Sequence, residues 1–330
     1  MKNFYNTVNI EDGAVNFKIL AIDGGGTRGI LPAAYLNYLQ EQLGDTAQIG
    51  EHFDLIVGTS TGGIIALAVA LRIPIAKILK LYKTGSKEIF QFSYRSLSRG
   101  LITPKYGNGR LISELQTLFQ EKTIGECKSM VCIPTTDVIN GRTVVFKTNH
   151  CEEFIHDYKM YAWQAAAATC AAPGFFPVFN DKNLSSYVDG GLWANNPALV
   201  GIAEAIKLGY SHSNIKMLSI GTGSRPLFKN KNILRYFGLI AWRTSLVELT
   251  FQAQSQSANN IAKYLCGDNY CRIDFHLSSN KFKLDNTSCL DDLEAIAVQR
   301  GKETFGKIKT NCFGSVANTS QLSTFRGVTS

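Results

Sequence analysis

The sequence predicts an α/β fold in which a central, mainly parallel sheet lies between two layers of helices. Apolar runs of strand length alternate with segments of helical periodicity along most of the 330 residues, as in chains that build β–α units around a parallel sheet. Glycine-rich turns at 23–29 and 58–63 join strand-like runs to helix-like runs. Residues 131–146 contain Asn140-Gly141 between two apolar runs, so part of the sheet is expected to be an antiparallel hairpin.

The individual elements follow from local patterns. Residues 17–22 (FKILAI) form the first expected strand, and leucines and Tyr35 at four-residue spacing predict a helix that ends before Gly44, a residue suited to a helix C-terminus. Further strands are expected at 53–58, 187–189 and 215–221, further helices at 63–71, 75–82, 111–119, 161–172 and 195–208, and an irregular surface segment at 84–110.

The turn Gly58-Thr59-Ser60-Thr61-Gly62 satisfies G-x-S-x-G between a strand and a helix. In a nucleophile elbow the turn is so tight that glycines are needed on both sides, and the serine hydroxyl is exposed above the sheet. Ser60 is therefore the candidate nucleophile. A glycine-rich turn without chemistry is the alternative, because so short a motif recurs by chance.

Residues 24–29 satisfy G-x-G-x-x-G, which allows two interpretations. A dinucleotide-binding loop would need an acidic residue after the second strand, whereas Glu51 precedes that strand. Glycine amides at a helix start also stabilise other anions, such as the oxyanion that forms beside an attacked serine. If the two strands are parallel, Gly24, Gly25 and Gly26 face Ser60. A non-enzymatic nucleotide-binding module remains the alternative.

Composition excludes several classes of protein. Hydrophobic residues make up 45% of the chain and charged residues 18%, so it is expected to be globular rather than disordered. No run of eighteen apolar residues occurs and Met1–Gly13 lacks an export pattern, so a soluble, cytoplasmic protein is expected. The eight cysteines form no C-x-x-C pair, which argues against zinc and for reduced thiols.

The net charge of +8 is concentrated near the end of the chain, where residues 224–330 carry a surplus of six positive charges. Such a field favours an anionic partner, whether a membrane surface, a nucleotide or a nucleic acid, although a solvated face would show the same pattern. Residues 225–251 mix basic and large apolar side chains. That composition suits a helix at a membrane interface and a helix docked on the protein almost equally well.

Three motifs in order give the chain a family resemblance: DGGGTRG at 23–29, GTSTGG at 58–63 and DGG at 189–191. Together with Pro104-Lys105-Tyr106 and the run AAPGFFPVF at 171–179, they resemble the patatin-like phospholipases over roughly residues 17–223. This resemblance implies a patatin-like three-layer α/β/α fold and one domain over 1–330, in which 224–330 is a basic, largely helical addition.

The resemblance also implies a Ser–Asp dyad that hydrolyses lipid acyl esters without a metal or other cofactor. By position Ser60 matches the nucleophile and Asp189 the base, while Gly24, Gly25, Gly26 and Arg28 match the oxyanion-hole loop. Gly29, Gly58, Thr59, Thr61, Gly62, Gly190 and Gly191 complete the motifs. Each of the five histidines is expected to be a surface or core residue, and the Ser60 Oγ to Asp189 carboxylate distance to be about 2.6–3.2 Å.

Residues 224–330 resemble the corresponding part of bacterial patatin-like effectors that cyclic oligonucleotides switch on in antiphage defence. This resemblance implies a phospholipid membrane surface as substrate, a cyclic oligonucleotide as activator and a cytoplasmic enzyme that is peripheral at the inner membrane when active. It allows a homo-oligomer and gives no reason to expect a nucleic-acid polymer as partner.

Overall fold

The computed structural model describes residues 16–44, 48–91, 103–181, 185–226, 239–279 and 281–313. The strands are β1 Phe17–Ile22, β2 Leu55–Gly58, β3 Met130–Asp137, β4 Arg142–Lys147, β5 Phe179–Asn180, β6 Ser186–Asp189, β7 Ile215–Ile220 and β8 Tyr270–Ile273. The helices are α1 Ile30–Leu43, α2 Thr61–Ala70, α3 Ile75–Lys80, α4 Ser86–Ile89, α5 Gly109–Phe119, α6 Ala162–Thr169, α7 Gly191–Ala194, α8 Ala198–Lys207, α9 Leu239–Cys266 and α10 Leu290–Cys312.

The strands form a mixed, mostly parallel sheet in the order β5-β6-β3-β2-β1-β7-β8, with β4 paired beside β3. The pairings from β3 through β2, β1 and β7 to β8 are parallel. The pairings of β3 with β4 and β6, and of β5 with β6, are antiparallel. The α/β class and the mainly parallel sheet are therefore confirmed.

Alternate residues of the central strand enter two separate hydrophobic clusters, which defines three layers. Leu20 and Ile22 of β1 pack in a cluster with α1, α2 and α10. Ile19 and Ala21 pack in a second cluster with α8 and α9 on the opposite face of the sheet. A strand buried on both faces reads as a continuous apolar run, which is the pattern seen in FKILAI.

The hairpin and the first helix agree with the sequence patterns. Strands β3 and β4 pair around the predicted Asn140-Gly141 turn, with Gly141 at φ 61°. Helix α1 ends at Leu43 and Gly44 follows at φ 106°, a conformation that favours glycine. Both details are set by short-range sequence, so they could be predicted.

Two parts of the chain differ from expectation. Strand β8 was not predicted, because its four residues YCRI are short and show no alternation; it adds to the sheet beside β7. The expected irregular segment 84–110 is helical at Leu81–Ile89 and from Gly109, while 92–102 lie outside the described residues.

The basic segment 225–251 is only partly described. Residues 227–238 lie outside the described ranges, as do the side chains of 239–244, and helix α9 begins at Leu239. From residue 245 onward the helix is docked on the protein, with Glu248 and Phe251 buried. Within the described residues, no helix combines the length and apolar character needed to cross a bilayer. The single-domain organisation over 1–330 stays a prediction.

The parallel pairing of β1 and β2 positions the two glycine-rich turns. Ile22 lies opposite Gly58 at the ends of these strands, and the Thr59 amide donates to the Ile22 carbonyl at 3.2 Å. Because parallel strands end at the same edge of a sheet, residues 23–29 and 59–62 lie side by side.

Candidate active site

Ser60 lies between β2 and α2 in a backbone conformation that few non-glycine residues adopt, with φ 53° and ψ −125°. A Cβ on Gly58 would collide with the carbonyl group of Gly62, and one on Gly62 would collide with the carbonyl oxygens of Ile22 and Asp23. These contacts force the tight turn that presents the Ser60 side chain. Strained backbone of this kind is found at functional sites, where the surrounding structure maintains it.

Hydrogen bonds from the surrounding elements fix this turn. The Ser60 amide donates to Thr169 Oγ1 at 2.9 Å, and the Thr169 hydroxyl donates to the Pro134 carbonyl at 2.6 Å. Thr59 Oγ1 donates to the Ala194 carbonyl at 2.6 Å, and the hydroxyl of Thr61 pairs with that of Tyr82. The conformation of Ser60 is thus determined by side chains from distant parts of the chain.

Asp189 at the end of β6 contacts Ser60 directly. The Ser60 hydroxyl donates to Asp189 Oδ2 at 2.6 Å, and the Gly191 amide donates to Oδ1 at 2.7 Å. The antiparallel pairing of β6 with β3 places Asp189 opposite Thr135. A Cβ on Gly190 would collide with the Pro134 carbonyl, so the DGG sequence lets the chain turn close to β3 while the carboxylate stays on the serine.

The environment of Asp189 turns a weak base into a stronger one. Its side chain is fully buried, and burial raises the pKa of the carboxyl to about 7, against the lowering effect of the hydrogen bonds from Ser60 and Gly191. A catalytic base is most effective when its pKa is near the working pH. The neighbouring Cys170 is also buried, and burial raises the pKa of its thiol, so that group stays neutral.

The raised pKa of Asp189 predicts the pH dependence of ester hydrolysis. Only the ionised carboxylate can accept the Ser60 proton, so kcat/KM for a neutral p-nitrophenyl ester should rise with pH and level off above an apparent pKa of about 7. A flat profile between about pH 5 and about pH 9 would mean that a different group removes the proton.

The glycine loop lies directly beside Ser60. A Cβ on Gly24 would be 3.2 Å from Ser60 Cβ, and Gly26 lines the same cavity as Ser60. The Gly24 amide already donates to the Asn195 carbonyl at 2.9 Å. The amides of Gly25 and Gly26 have no acceptor within the described residues. Two free amides beside a serine can stabilise an oxyanion.

Replacing Gly25 by alanine should disturb this loop. The added Cβ would collide with the side chain of Thr222, whose hydroxyl donates to the Gly24 carbonyl at 2.6 Å. The loop would have to move, and its amides would no longer point toward the oxyanion. We expect kcat to fall by about 100-fold, the effect of losing one oxyanion donor. The control is Gly107→Ala, where a Cβ would meet open space. Equal kcat values for the two variants would contradict this role of the loop.

The side chain of Arg28 does not line the Ser60 cavity. Its guanidinium is 2% exposed and lies 3.4 Å from Glu248 Oε1 on α9, while its backbone amide donates to the Gly25 carbonyl at 3.1 Å. Gly29 is close to Thr61 and Tyr82, which a Cβ would strike. These two residues of the DGGGTRG motif shape the loop, and the free amides come from Gly25 and Gly26.

The cavity in front of Ser60 is narrow and apolar. It has a volume of about 70 Å³. Its lining beyond the dyad and the glycine loop is largely aliphatic and aromatic: Ile64, Leu81, Tyr82, Ile89, Phe90, Leu111, Ala172, Phe175, Phe176, Phe251 and Leu284. No histidine of the described residues lines it. The cavity suits a hydrocarbon chain better than a polar head group.

One group of metal-ligating side chains exists elsewhere in the described residues. Ligand atoms of Cys132, His150 and Glu204 lie within 4.8 Å of one another, all buried. His150 already pairs with Thr148 and with Glu204, which also forms an ion pair with Lys147. These contacts satisfy the groups internally, and a neighbouring ammonium opposes a cation.

Sequence reasoning missed several residues that shape the site. Thr169, Asn195 and Thr222 hold the elbow and the glycine loop through hydrogen bonds. Each is a common polar residue outside the three motifs, and nothing in its local pattern distinguishes it from a surface or turn residue. Only the tertiary contacts reveal these roles.

Comparison with known proteins finds a matching family and several similar proteins. A family model described as patatin-like phospholipase matches residues 20–202. Proteins described as cGAMP-activated phospholipases are 35% identical in Pseudomonas aeruginosa, over 79% of this chain and 79% of the relative, and 31% identical in Escherichia coli, over 87% and 88%. A third from Vibrio cholerae is 30% identical over 88% of this chain and 92% of the relative.

A likeness to the crystal structure of VipD from Legionella pneumophila has a TM-score of 0.49 and 13% identity over 90% of this chain and 67% of that one, too slight to add to the assignment. A serine paired with a carboxylate at a nucleophile elbow defines a hydrolase of ester bonds. The chain belongs to the patatin-like phospholipase family, as its motifs predicted.

Proposed function

We propose that this protein hydrolyses the carboxylic esters of membrane phospholipids through an acyl intermediate on Ser60, with Asp189 as general base. The observation that carries the proposal is the 2.6 Å hydrogen bond from Ser60 Oγ to the buried carboxylate of Asp189. The free amides of Gly25 and Gly26 and the apolar cavity beside Ser60 support it.

In the first step Ser60 Oγ attacks the ester carbonyl carbon while Asp189 Oδ2 accepts the hydroxyl proton. The carbonyl oxygen gains negative charge, which the Gly25 and Gly26 amides stabilise in the tetrahedral intermediate. The protonated Asp189 then donates to the leaving alkoxide, which departs as an alcohol or lysophospholipid. Because the pKa of Asp189 is about 7, the group can both accept and return a proton near neutral pH.

In the second step a water molecule takes the place of the alcohol. Asp189 removes its proton as it attacks the acyl carbon, and the intermediate collapses with return of the proton to Ser60 Oγ. The products are a fatty acid and the free enzyme. Each step needs one proton acceptor and one oxyanion site, so the chemistry requires no third catalytic side chain.

We expect the acyl chain to lie on the side of Ser60 lined by α4, α5 and the Phe175–Phe176 segment, because that part of the cavity is apolar. Leu111 of α5 is 5% exposed and lines it. Replacing Leu111 with tryptophan should fill part of the cavity, and we expect kcat/KM for a p-nitrophenyl palmitate to fall about tenfold while that for the butyrate changes little.

The control for that variant is Leu118→Trp, since Leu118 lies on the same helix and does not line the cavity. Equal losses for the short and the long ester in the Leu111 variant would contradict the assignment of the acyl chain.

We infer that a cyclic oligonucleotide activates the enzyme. The activated enzyme would act in an antiphage response, as a cytoplasmic protein bound peripherally to the inner membrane. Three relatives are described as cGAMP-activated phospholipases. The matches to two of them cover 87% and 88% of this chain, more than residues 1–223 can supply alone. The shared region therefore extends into the basic C-terminal part.

The experiment is an assay of fatty acid release from phosphatidylethanolamine–phosphatidylglycerol vesicles with and without cGAMP. The proposal predicts release that depends on Ser60 and rises with cGAMP. Release that persists in Ser60→Ala would overturn the catalytic assignment. Release unchanged by cGAMP would contradict activation by cGAMP but not the assignment as a hydrolase.

A further inference from the structure

A second cavity, of about 370 Å³, borders the glycine loop away from the acyl cavity. Asp23 and Arg28 of the loop line the second cavity, whereas Gly26 and Thr27 line the first. Phe251 of α9 lines both and is 4% exposed. The two cavities are thus separated by the loop that carries the free amides and by one aromatic ring.

Helix α9 presents a polar face to this second cavity. Gln252, Ser255, Gln256 and Asn259 line it, at the i, i+3, i+4, i+7 spacing of one helix face. The helix packs on the protein through a buried apolar stripe that includes Phe251, Ala258 and Ala262. The amide and hydroxyl groups beside that stripe line the cavity, where they can contact a polar ligand.

Two cavity-lining side chains keep buried nitrogens without a hydrogen-bond acceptor among the described residues: Nε and Nη1 of Arg28 and Nε2 of Gln252. Arg28 is 2% exposed, and a buried donor without an acceptor is costly. An acceptor supplied by a ligand would remove that cost.

Within the described residues, the carboxylate that pairs with Arg28 is shared with a second arginine. The Glu248 carboxylate accepts two hydrogen bonds from Arg225, at 3.0 and 2.7 Å, so a single carboxylate serves two guanidinium groups. Guanidinium groups bind phosphate oxygens through charge-assisted hydrogen bonds. A phosphate at Arg28 would supply the missing hydrogen-bond acceptors and a negative charge that Arg28 does not share with Arg225.

The cavity lining also offers groups suited to a nucleobase. Arg272 donates to both carboxylate oxygens of Asp23 at 2.8 and 2.6 Å and to Asp274 at 2.9 Å, so two carboxylates share one guanidinium there. Carboxylate and amide groups recognise the ring N–H and amino groups of bases. The amides of the α9 face provide both donors and acceptors.

We propose that this second cavity is the activator site and binds a nucleotide phosphodiester of the cGAMP type, with a phosphate on Arg28 and a base against Gln252 and Asn259. This assignment rests on the activator inferred above and gives it a location.

Residues of this cavity also hold the glycine loop, so a ligand bound in the cavity can affect the active site through the loop. The Gly24 carbonyl accepts hydrogen bonds from Thr222 Oγ1 at 2.6 Å and from Asn195 Nδ2 at 3.3 Å. Asn195 Nδ2 also donates to Ser255 of α9 at 2.9 Å. A ligand that draws Arg28 and the α9 face together moves the segment carrying the Gly25 and Gly26 amides, and so changes the oxyanion site.

The test is calorimetric titration of cGAMP into the full-length wild type and into Gln252→Ala, Asn259→Ala and Arg28→Gln, with fatty acid release measured in parallel. We expect each variant to raise the Kd for cGAMP by about tenfold or more, as for the loss of a ligand hydrogen bond. The half-maximal cGAMP concentration for release should rise in the same ratio. The matched control is Gln116→Ala on the exposed face of α5, which should bind cGAMP as the wild type does.

Calorimetry measures cGAMP binding without requiring turnover, so the cGAMP site and the ester hydrolysis are tested independently. Weaker cGAMP binding in Gln252→Ala and Asn259→Ala, with unchanged melting temperatures, supports the site even if no ester is cleaved. Wild-type affinity in both variants, or a wild type that does not bind cGAMP, overturns the site while Ser60-dependent hydrolysis stands. Because Arg28→Gln removes a buried ion pair and can unfold the loop, the two α9 variants decide the result.

Discussion

Replacing Ser60 with alanine should lower kcat for ester hydrolysis by about 10⁴-fold or more, as removal of a catalytic serine does in other hydrolases. In the mechanism proposed above Ser60 Oγ forms the acyl intermediate, and within the described residues it is the one hydroxyl that donates a hydrogen bond to Asp189. Fatty acid release from vesicles and hydrolysis of a p-nitrophenyl ester are the measurements.

The control for Ser60→Ala is the glycine variant at the same position. Both remove the hydroxyl, but only glycine relaxes a backbone at φ 53°, a conformation that costs about 1–3 kcal/mol for other residues. We expect Ser60→Gly to melt at a higher temperature than Ser60→Ala while both are inactive. Wild-type turnover in a correctly folded Ser60→Ala would remove the nucleophile from the mechanism.

Replacing Asp189 with asparagine should lower kcat by about 10⁴-fold, as in serine hydrolases that lose the acid of their triad. Asparagine keeps the shape and can still accept the Gly191 amide proton that Oδ1 accepts at 2.7 Å. Its amide nitrogen would donate to Ser60 Oγ and cannot take the proton. The expected signature is a large loss of kcat with little change in KM, measured under initial-rate conditions.

The control is the free energy of unfolding of Asp189→Asn, compared with that of the wild type as a function of pH. The raised pKa of Asp189 determines the direction in which this difference changes. The folded-state pKa of about 7 lies above the unfolded value near 3.8, so the folded wild type loses stability as pH rises from about 4 through about 7. Asparagine does not titrate, so its free energy of unfolding relative to the wild type should increase over that range. Unchanged turnover in this variant would require another base, and none of the five histidines lines the Ser60 cavity.

The parts of the site that the sequence could predict are those determined by neighbours in the chain. The elbow around Ser60 needs Gly58 because a Cβ there would meet Gly62 in the same turn, and it needs Gly62 because a Cβ there would meet the end of the adjacent parallel strand β1. The position of the glycine loop follows from one parallel strand pair. Constraints of this kind fix glycine at particular positions of the motif, where they can be recognised in the sequence.

The parts that could not be predicted depend on contacts between distant segments. Thr169 reaches the Ser60 amide across 109 positions, and Asn195 reaches the Gly24 carbonyl across 171. The polar face of α9 that lines the second cavity has the sequence pattern of a solvated helix side, because periodicity does not show what the face contacts. Tertiary contacts also decide that the Gly24 amide is hydrogen-bonded to the Asn195 carbonyl, while the Gly25 amide has no acceptor within the described residues.

Mapping the site of a serine-directed fluorophosphonate by mass spectrometry tests the Ser60–Asp189 chemistry most directly. In the wild type we predict a single phosphonyl adduct on the peptide that contains Ser60, with loss of esterase activity in proportion to labelling. Asp189→Asn should label far more slowly. An adduct on a different residue, or full labelling of Ser60 with esterase activity retained, would contradict a mechanism that passes through an acyl-Ser60 intermediate.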